Sequence, residues 1–351
     1  MESTTLTILE RDQKMPYIIV PINGTDQAVI SHLEELIKSV TGLSDIYSWT
    51  TDGELMWYQV DLTEAEATLL KGSADVDHLA VDEPFECHDA PYEDWPFQSS
   101  ASHNSSRLLS ERDQIWLEQE EAARELRVIS TPLGKQWTYR NYFKYPQEAG
   151  EDIYFYHIED VRAFQQRMFF GTTIAQGLKA VIDNLKADKK NAEDKKVEPT
   201  RYCKSIIIMS SSTKKTYKEV ALDKPPFTNM RSWLSQLTNM GVPIVLAAGN
   251  GADEATGDVG VIQLPMWYSY DGVLPLINVG NADADGVIAP KSRRGDKVAI
   301  FANGKDVTCS EYTGSGTSFS APQVGRAIAV GMSQKAGPFY EATKAKEAKP
   351  L

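Results

Sequence analysis

Histidine and cysteine are scarce in this sequence, five and three among 351 residues, and each shortage excludes chemistry. Cys87, Cys203 and Cys309 are widely spaced and form no CxxC pair. Neither a disulfide framework nor a zinc site is therefore expected, and the three read as free thiols of a reducing compartment. No metal and no cofactor is implied by any motif. Basic residues are also in deficit: 36 Lys and Arg face 49 Asp and Glu, a net charge of -13 that would repel the phosphates of a nucleic acid. No apolar run is long enough to cross a bilayer, and the opening MESTTLTILERDQKMPYIIV lacks a basic stretch followed by an apolar one. The chain as given is thus expected in the cytoplasm, with neither nucleic acid nor membrane as a partner; its oligomeric state is left open.

What is present is enough apolar content, 42%, for two cores, one small and one larger. From Tyr17 to Val81 the pattern reads βαββαβ: YIIVPI, a helix with Val29, Ile30, Leu33, Leu36, Ile37 and Val40 on one face, the pair IYSW and ELMWYQVDL, a second helix opened by Thr63 and Glu66, and a last strand around 76–81. That is a small antiparallel sheet with two helices on one face, assigned to residues 15–87. Residues 88–127 begin with a stretch rich in Ser, Asp, Asn and Pro and read as a linker. In 128–351 the strands IYFYHI, SIIIM, PIVLAA and LINVG are short, almost wholly apolar and separated by helical stretches. Such runs indicate an α/β domain with a mostly parallel sheet covered on both faces. KADKKNAEDKK, after the helical stretch 172–187, reads as a solvated helix end or a loop.

Two strings carry chemistry. In GTSFSAP, Ser318 stands at the start of a helix whose unpaired N–H groups favour negative charge, and the small residues Ala321, Gly325, Ala327 and Ala329 allow that helix to pack closely. In PIVLAAGNG, an apolar strand runs out at Asn250, whose amide can donate into the crevice at the carboxyl ends of a parallel sheet. A nucleophile at a helix start and a donor at a strand end together suit acyl transfer.

With VLPLINVGNADADG and GDKVAIFANGKDV between them, these strings resemble the subtilisin-like serine peptidases, and the βαββαβ unit resembles their propeptide, which folds and then inhibits them. The resemblance implies a subtilisin-like doubly wound sheet, Ser318 as nucleophile, and Asn250 with the Ser318 N–H as oxyanion donors. It also implies an aspartate and then a histidine before the serine. AGEDIYFYHIEDV puts Glu159, followed by Asp160, where the aspartate belongs. The histidine has no counterpart: His32, His78, His88, His103 and His157 all precede Glu159. Either FGTTIAQG replaces the histidine string, with Phe170 in place of the base, or that string is the later helix before SIIIM and the histidine segment is deleted; the short interval from Glu159 to Ser205 favours deletion.

His157 reads as an interior strand residue, and Cys309 as a buried thiol. Loss of the histidine costs about two million-fold in turnover in subtilisin, with roughly a thousand-fold acceleration left from the oxyanion hole and binding. A serine endopeptidase relative with impaired or lost hydrolysis is therefore expected. Its partners would be a peptide or protein substrate. The alternative is a non-catalytic pseudopeptidase that binds peptides or inhibits an active subtilase, using Val81 to Glu86 as the strand laid in the cleft.

Overall fold

A computed structural model describes residues 13–87, 107–111, 114–120, 142–146, 150, 152–158, 169–202, 204–272, 274–309 and 312–333. The chain divides into two compact units, the first comprising residues up to Pro84 together with Phe170–Thr172 and Ala221–Asn229. Its strands are β1 (Met15–Pro21), β2 (Tyr47–Thr51), β3 (Glu54–Leu62) and β4 (Val76–Val81), with helices α1 (Gln27–Thr41) and α2 (Glu64–Lys71). The sheet order is β2-β3-β1-β4, all pairs antiparallel, as the βαββαβ pattern implies. Asp26 caps α1 by accepting from the Ala28 N–H, and Gly42 ends it in the left-handed conformation at φ 70°. Thr63 and Glu66 form the expected reciprocal capping box on α2. Alternate strand positions fill the core: Ile19, Tyr58, Val60, Leu62 and Leu79 pack with Leu33, Ile37, Ala67 and Leu70 of the helices.

The second unit runs from Phe85 to Phe169, from Thr173 to Val220 and from Met230 onward. Its first strand, β5 (Pro84–Cys87), begins one residue earlier. The stretch 88–127, expected as a linker, contains strands β6 (Arg107–Glu111) and β7 (Gln114–Glu120), which form an antiparallel sheet with β8 (Tyr142–Pro146). The correction has a plain cause. RLLSE and QIWLEQE carry Leu, Ile and Trp enough to sustain a strand ladder, and the polar residues around them hid that pattern. The rest of 88–127 lies outside the described residues.

The main sheet has five parallel strands in the order β15-β14-β13-β11-β9. They are β9 (Tyr154–Ile158), β11 (Ser205–Met209), β13 (Ile244–Ala247), β14 (Ile277–Ala282) and β15 (Ile300–Asn303). Between β9 and β11 come β10 (Phe169–Phe170) and helix α3 (Gly171–Lys195); β12 (Ser211–Thr213) and α4 (Phe227–Asn239) precede β13. The charged string after 187 is a helix end, since α3 continues to Lys195 with most of those residues exposed. Two short strands, β16 (Val307–Cys309) and β17 (Tyr312–Gly314), lead to helix α5 (Thr317–Ser333). Ala321, Val324, Ile328 and Ala329 of α5 pack on Ile206, Ile208, Val245, Ala247 and Val279. The alternate residues Ile207, Ile244 and Leu246 are fully buried too, so both faces of the sheet are covered, the property that makes parallel strands uniformly apolar.

Candidate active site

Helix α5 opens one residue before Ser318, and its first residue ties it to the end of β13. The Gly249 N–H donates to Thr317 Oγ1 at 3.1 Å, while the Thr317 N–H donates to Asn250 Oδ1 at 3.0 Å. Thr317 is fully buried, so this reciprocal clasp replaces water for donors at both a strand end and a helix start. The clasp also orients the asparagine. A backbone N–H requires an acceptor, which fixes Oδ1 toward Thr317 and makes Nδ2 the donating end of the amide. Asn250 stands three residues beyond the last residue of β13, in a loop that turns at Gly249 with φ 103°, a conformation a side chain disfavours.

Behind Ser318, the helix start is braced by buried polar groups. Ser320 Oγ donates to the Ala302 carbonyl at 3.0 Å, and Gln323 Nε2 donates to the carbonyls of Asn303 and Phe319. The Gly316 N–H donates to the Gly304 carbonyl at 2.7 Å. Gly304 must be small: a Cβ there would lie 2.2 Å from Ser320 Oγ and 2.3 Å from the Gly316 carbonyl oxygen. Ser318 itself is half-buried in the first turn of α5.

The structure thus brings Ser318 and Asn250 to one place through Thr317. Glu159 and Asp160 lie outside the described residues, as do His88, His103 and Cys203, and of Cys309 only the backbone is described. His32 pairs with Asp75 in the first unit. His78, in the same unit, is held toward its neutral form by burial and then by Lys224. His157 lies on β9 in register with Ile208 of β11 and, contrary to the interior place expected for it, is exposed, because alternate positions of this edge strand face outward; partial desolvation and then the charge of Arg326 on α5 lower its pKa. The site contact that sequence reasoning missed is Thr317, although its place between Gly316 and Ser318 was the available signal.

A third element borders this region. Strand β5 lies between β10 and β12, and its pairing with β12 is antiparallel, with Phe85 opposite Thr213, Glu86 opposite Ser212 and Cys87 opposite Ser211. Phe85 is only 2% exposed, so its ring is an anchor rather than a surface group. Among the described residues no cluster of His, Cys, Asp and Glu is arranged to hold a metal ion, and no helix is long and apolar enough to cross a membrane.

The sequence profile of the subtilase family matches residues 169–348, which span α3 to beyond α5. This chain belongs to the subtilase family. Its fold is accordingly the subtilisin-like α/β type, with a small α+β unit at the N-terminal side. Among solved structures, a cold adapted subtilisin-like serine proteinase is similar at 20% identity, with a TM-score of 0.34, over 50% of this chain and 52% of that one. The chain spans about half the length of that structure. No curated protein matches it.

Proposed function

We propose that this subtilase-family domain holds an extended peptide strand beside Ser318 and turns over peptide bonds slowly or not at all. The observation that carries the reading is the sequence of the site. Ser318 and the amide of Asn250 are retained, while no histidine occurs between Glu159 and Ser318, where the family places the base. A serine hydroxyl is a weak nucleophile until a positioned base takes its proton, so the oxyanion donors alone stabilise a tetrahedral intermediate that forms rarely. The placement of FGTTIAQG also supports the deleted-segment alignment: this string opens α3, which leads through residues 196–204 directly to SIIIM. The binding half of the proposal draws on β12, whose ladder accepts an extended strand in antiparallel register.

The test is hydrolysis of a quenched-fluorescent peptide library by the intact chain beside its Ser318→Ala variant. Equal, near-background rates are expected, together with a chain that remains uncut between Glu86 and Ser110 during storage. Cleavage of either kind that Ser318→Ala abolishes would overturn the reading.

A second reading follows from the pairing of β5 with β12: the propeptide-like tail caps the chain's own strand edge, in preference to inhibiting an active subtilase. Burial of Phe85 favours the capped form. Phe85→Ala should then raise the affinity of the intact chain for added peptide; unchanged peptide affinity, with inhibition of an active subtilase by the wild-type chain, would favour the other role.

A further inference from the structure

The clasp with Thr317 fixes one end of the Asn250 amide, and the backbone on either side of Asn250 rests on a second support. Arg293 is buried against the turn Gly249–Gly251, with its side chain 6% exposed, and its N–H donates to the Gly249 carbonyl at 2.9 Å. A Cβ on Gly249 would lie 3.2 Å from Arg293 Cγ and 3.3 Å from Gln263 Oε1. On Gly251, the three nearest atoms to a Cβ would all belong to the guanidinium, with Nη2 at 3.1 Å. The side chain therefore spans the turn from one glycine to the other. Its far end is pinned, since Nη1 donates to the Asp258 carbonyl and to Asp258 Oδ1, both at 2.9 Å. The same carbonyl accepts from the Asp253 N–H at 2.8 Å, which closes a ring of contacts from Asn250 through Asp253 and Asp258 back to the turn.

Stability gives this arginine no evident purpose. Its Nε is buried without a hydrogen-bond partner among the described residues, a cost that an apolar side chain would not carry. Asp258 is 47% exposed, so solvent screens the pair and would receive the carboxylate if the arginine were removed. Pairs of this kind are often replaced by apolar residues without loss of stability. What an apolar residue cannot supply is a planar fork of fixed direction. We infer that Arg293 is a positioning residue for the site at Ser318: anchored on Asp258, it holds the Gly249–Gly251 turn and so aims the Asn250 amide. This rests on the reading above, in which that amide is a donor beside the serine, and adds the residue that sets its direction.

The test reads the amide itself, in two-dimensional spectra of the intact chain labelled with 15N at asparagine only, where the Asn250 side-chain signal is assigned by its loss in Asn250→Ala. Arg293→Met should shift that signal while the melting temperature stays equal to wild type or rises. Arg293→Lys, which keeps the charge but not the fork, should shift it less and in the same direction. Asp258→Ala, a change at an exposed anchor that leaves the buried side chain in place, should also shift it, and it keeps the inference open to refutation if Arg293→Met does not fold. The side-chain signals of Asn23 and Asn278 should stay where they are. An Asn250 signal unmoved in a folded Arg293→Met or Asp258→Ala chain would overturn the inference, as would equal movement of Asn278, which would mark a general rearrangement. No peptide is present in this measurement, so its failure leaves the peptide-binding reading standing, and failure of peptide binding leaves the measured shift intact.

Discussion

Each unit of this molecule joins a strand end to the start of a helix, and the two joints use different chemistry. In the first unit Asp82, just beyond β4, accepts from the Thr172 N–H at 3.2 Å, from the Thr172 hydroxyl, and from Gln59 Nε2 at 3.0 Å. In the second, Asn250 beyond β13 accepts from the Thr317 N–H, and Thr317 returns an acceptor to Gly249. Both use an acceptor side chain to satisfy an N–H in the first turn of a helix. The first acceptor is a buried carboxyl group and the second a neutral amide. Burial pushes the Asp82 pKa up to about 7, against the pull of its three donors, with Glu83 adding to the rise. The amide of Asn250 does not titrate. The comparison teaches that one joint depends on pH, whereas the joint beside the serine depends on shape and donor count alone.

Breaking the neutral joint should have the larger effect. Thr317→Val keeps the side-chain volume but removes the hydroxyl, leaving the Gly249 N–H without that acceptor in a buried place. The expected loss is about 1–3 kcal/mol in urea unfolding, equal at pH 5 and pH 8. A loss that changes between those two values would mean that a titrating group takes part in the clasp.

The charged joint should respond more weakly and in a pH-dependent way. Since the folded-state pKa of Asp82 lies above the ordinary carboxylate value, the folded chain holds its proton where the unfolded chain has released it. Its contribution is therefore complete below the ordinary carboxylate range and is lost as pH rises through about 7. His78 in the same unit works in the opposite sense, because its lowered pKa favours the folded state as pH rises. The difference between wild type and Asp82→Asn isolates the carboxyl: relative to the variant, wild type should lose stability between pH 5 and 8, visible as a shift in Tm of the first unit. A constant difference across that span would remove the pH-dependent half of the comparison.

Much of the fold can be read from residue patterns, because burial writes itself into spacing. IIIM and IVLAA are apolar at every position since both faces of their strands are covered, and Thr63 with Glu66 marks a helix start by the geometry of its own bonds. Joints between distant segments are less legible. Asp82 in VDEPF gives no sign that its donor partner lies 90 residues on, and Thr317 looks like a spacer between glycine and serine. Strands β6 and β7 were obscured for another reason, since a short amphipathic hairpin with few apolar residues resembles the polar text around it. The Ser318 and Asn250 motifs were visible because each combines a special backbone with a polar side chain; the pairing between them became visible only in three dimensions.

The central proposal is that Ser318 stands where acyl transfer would need it but is not activated. Its most direct test is the rate at which a fluorophosphonate serine probe labels the intact chain, followed by site-resolved mass spectrometry. The account predicts that Ser318 reacts no faster than an exposed serine of the same chain, at every pH from 6 to 9. Rapid labelling that Ser318→Ala abolishes would contradict it, and loss of that labelling in His157→Phe would identify the strand histidine as the base.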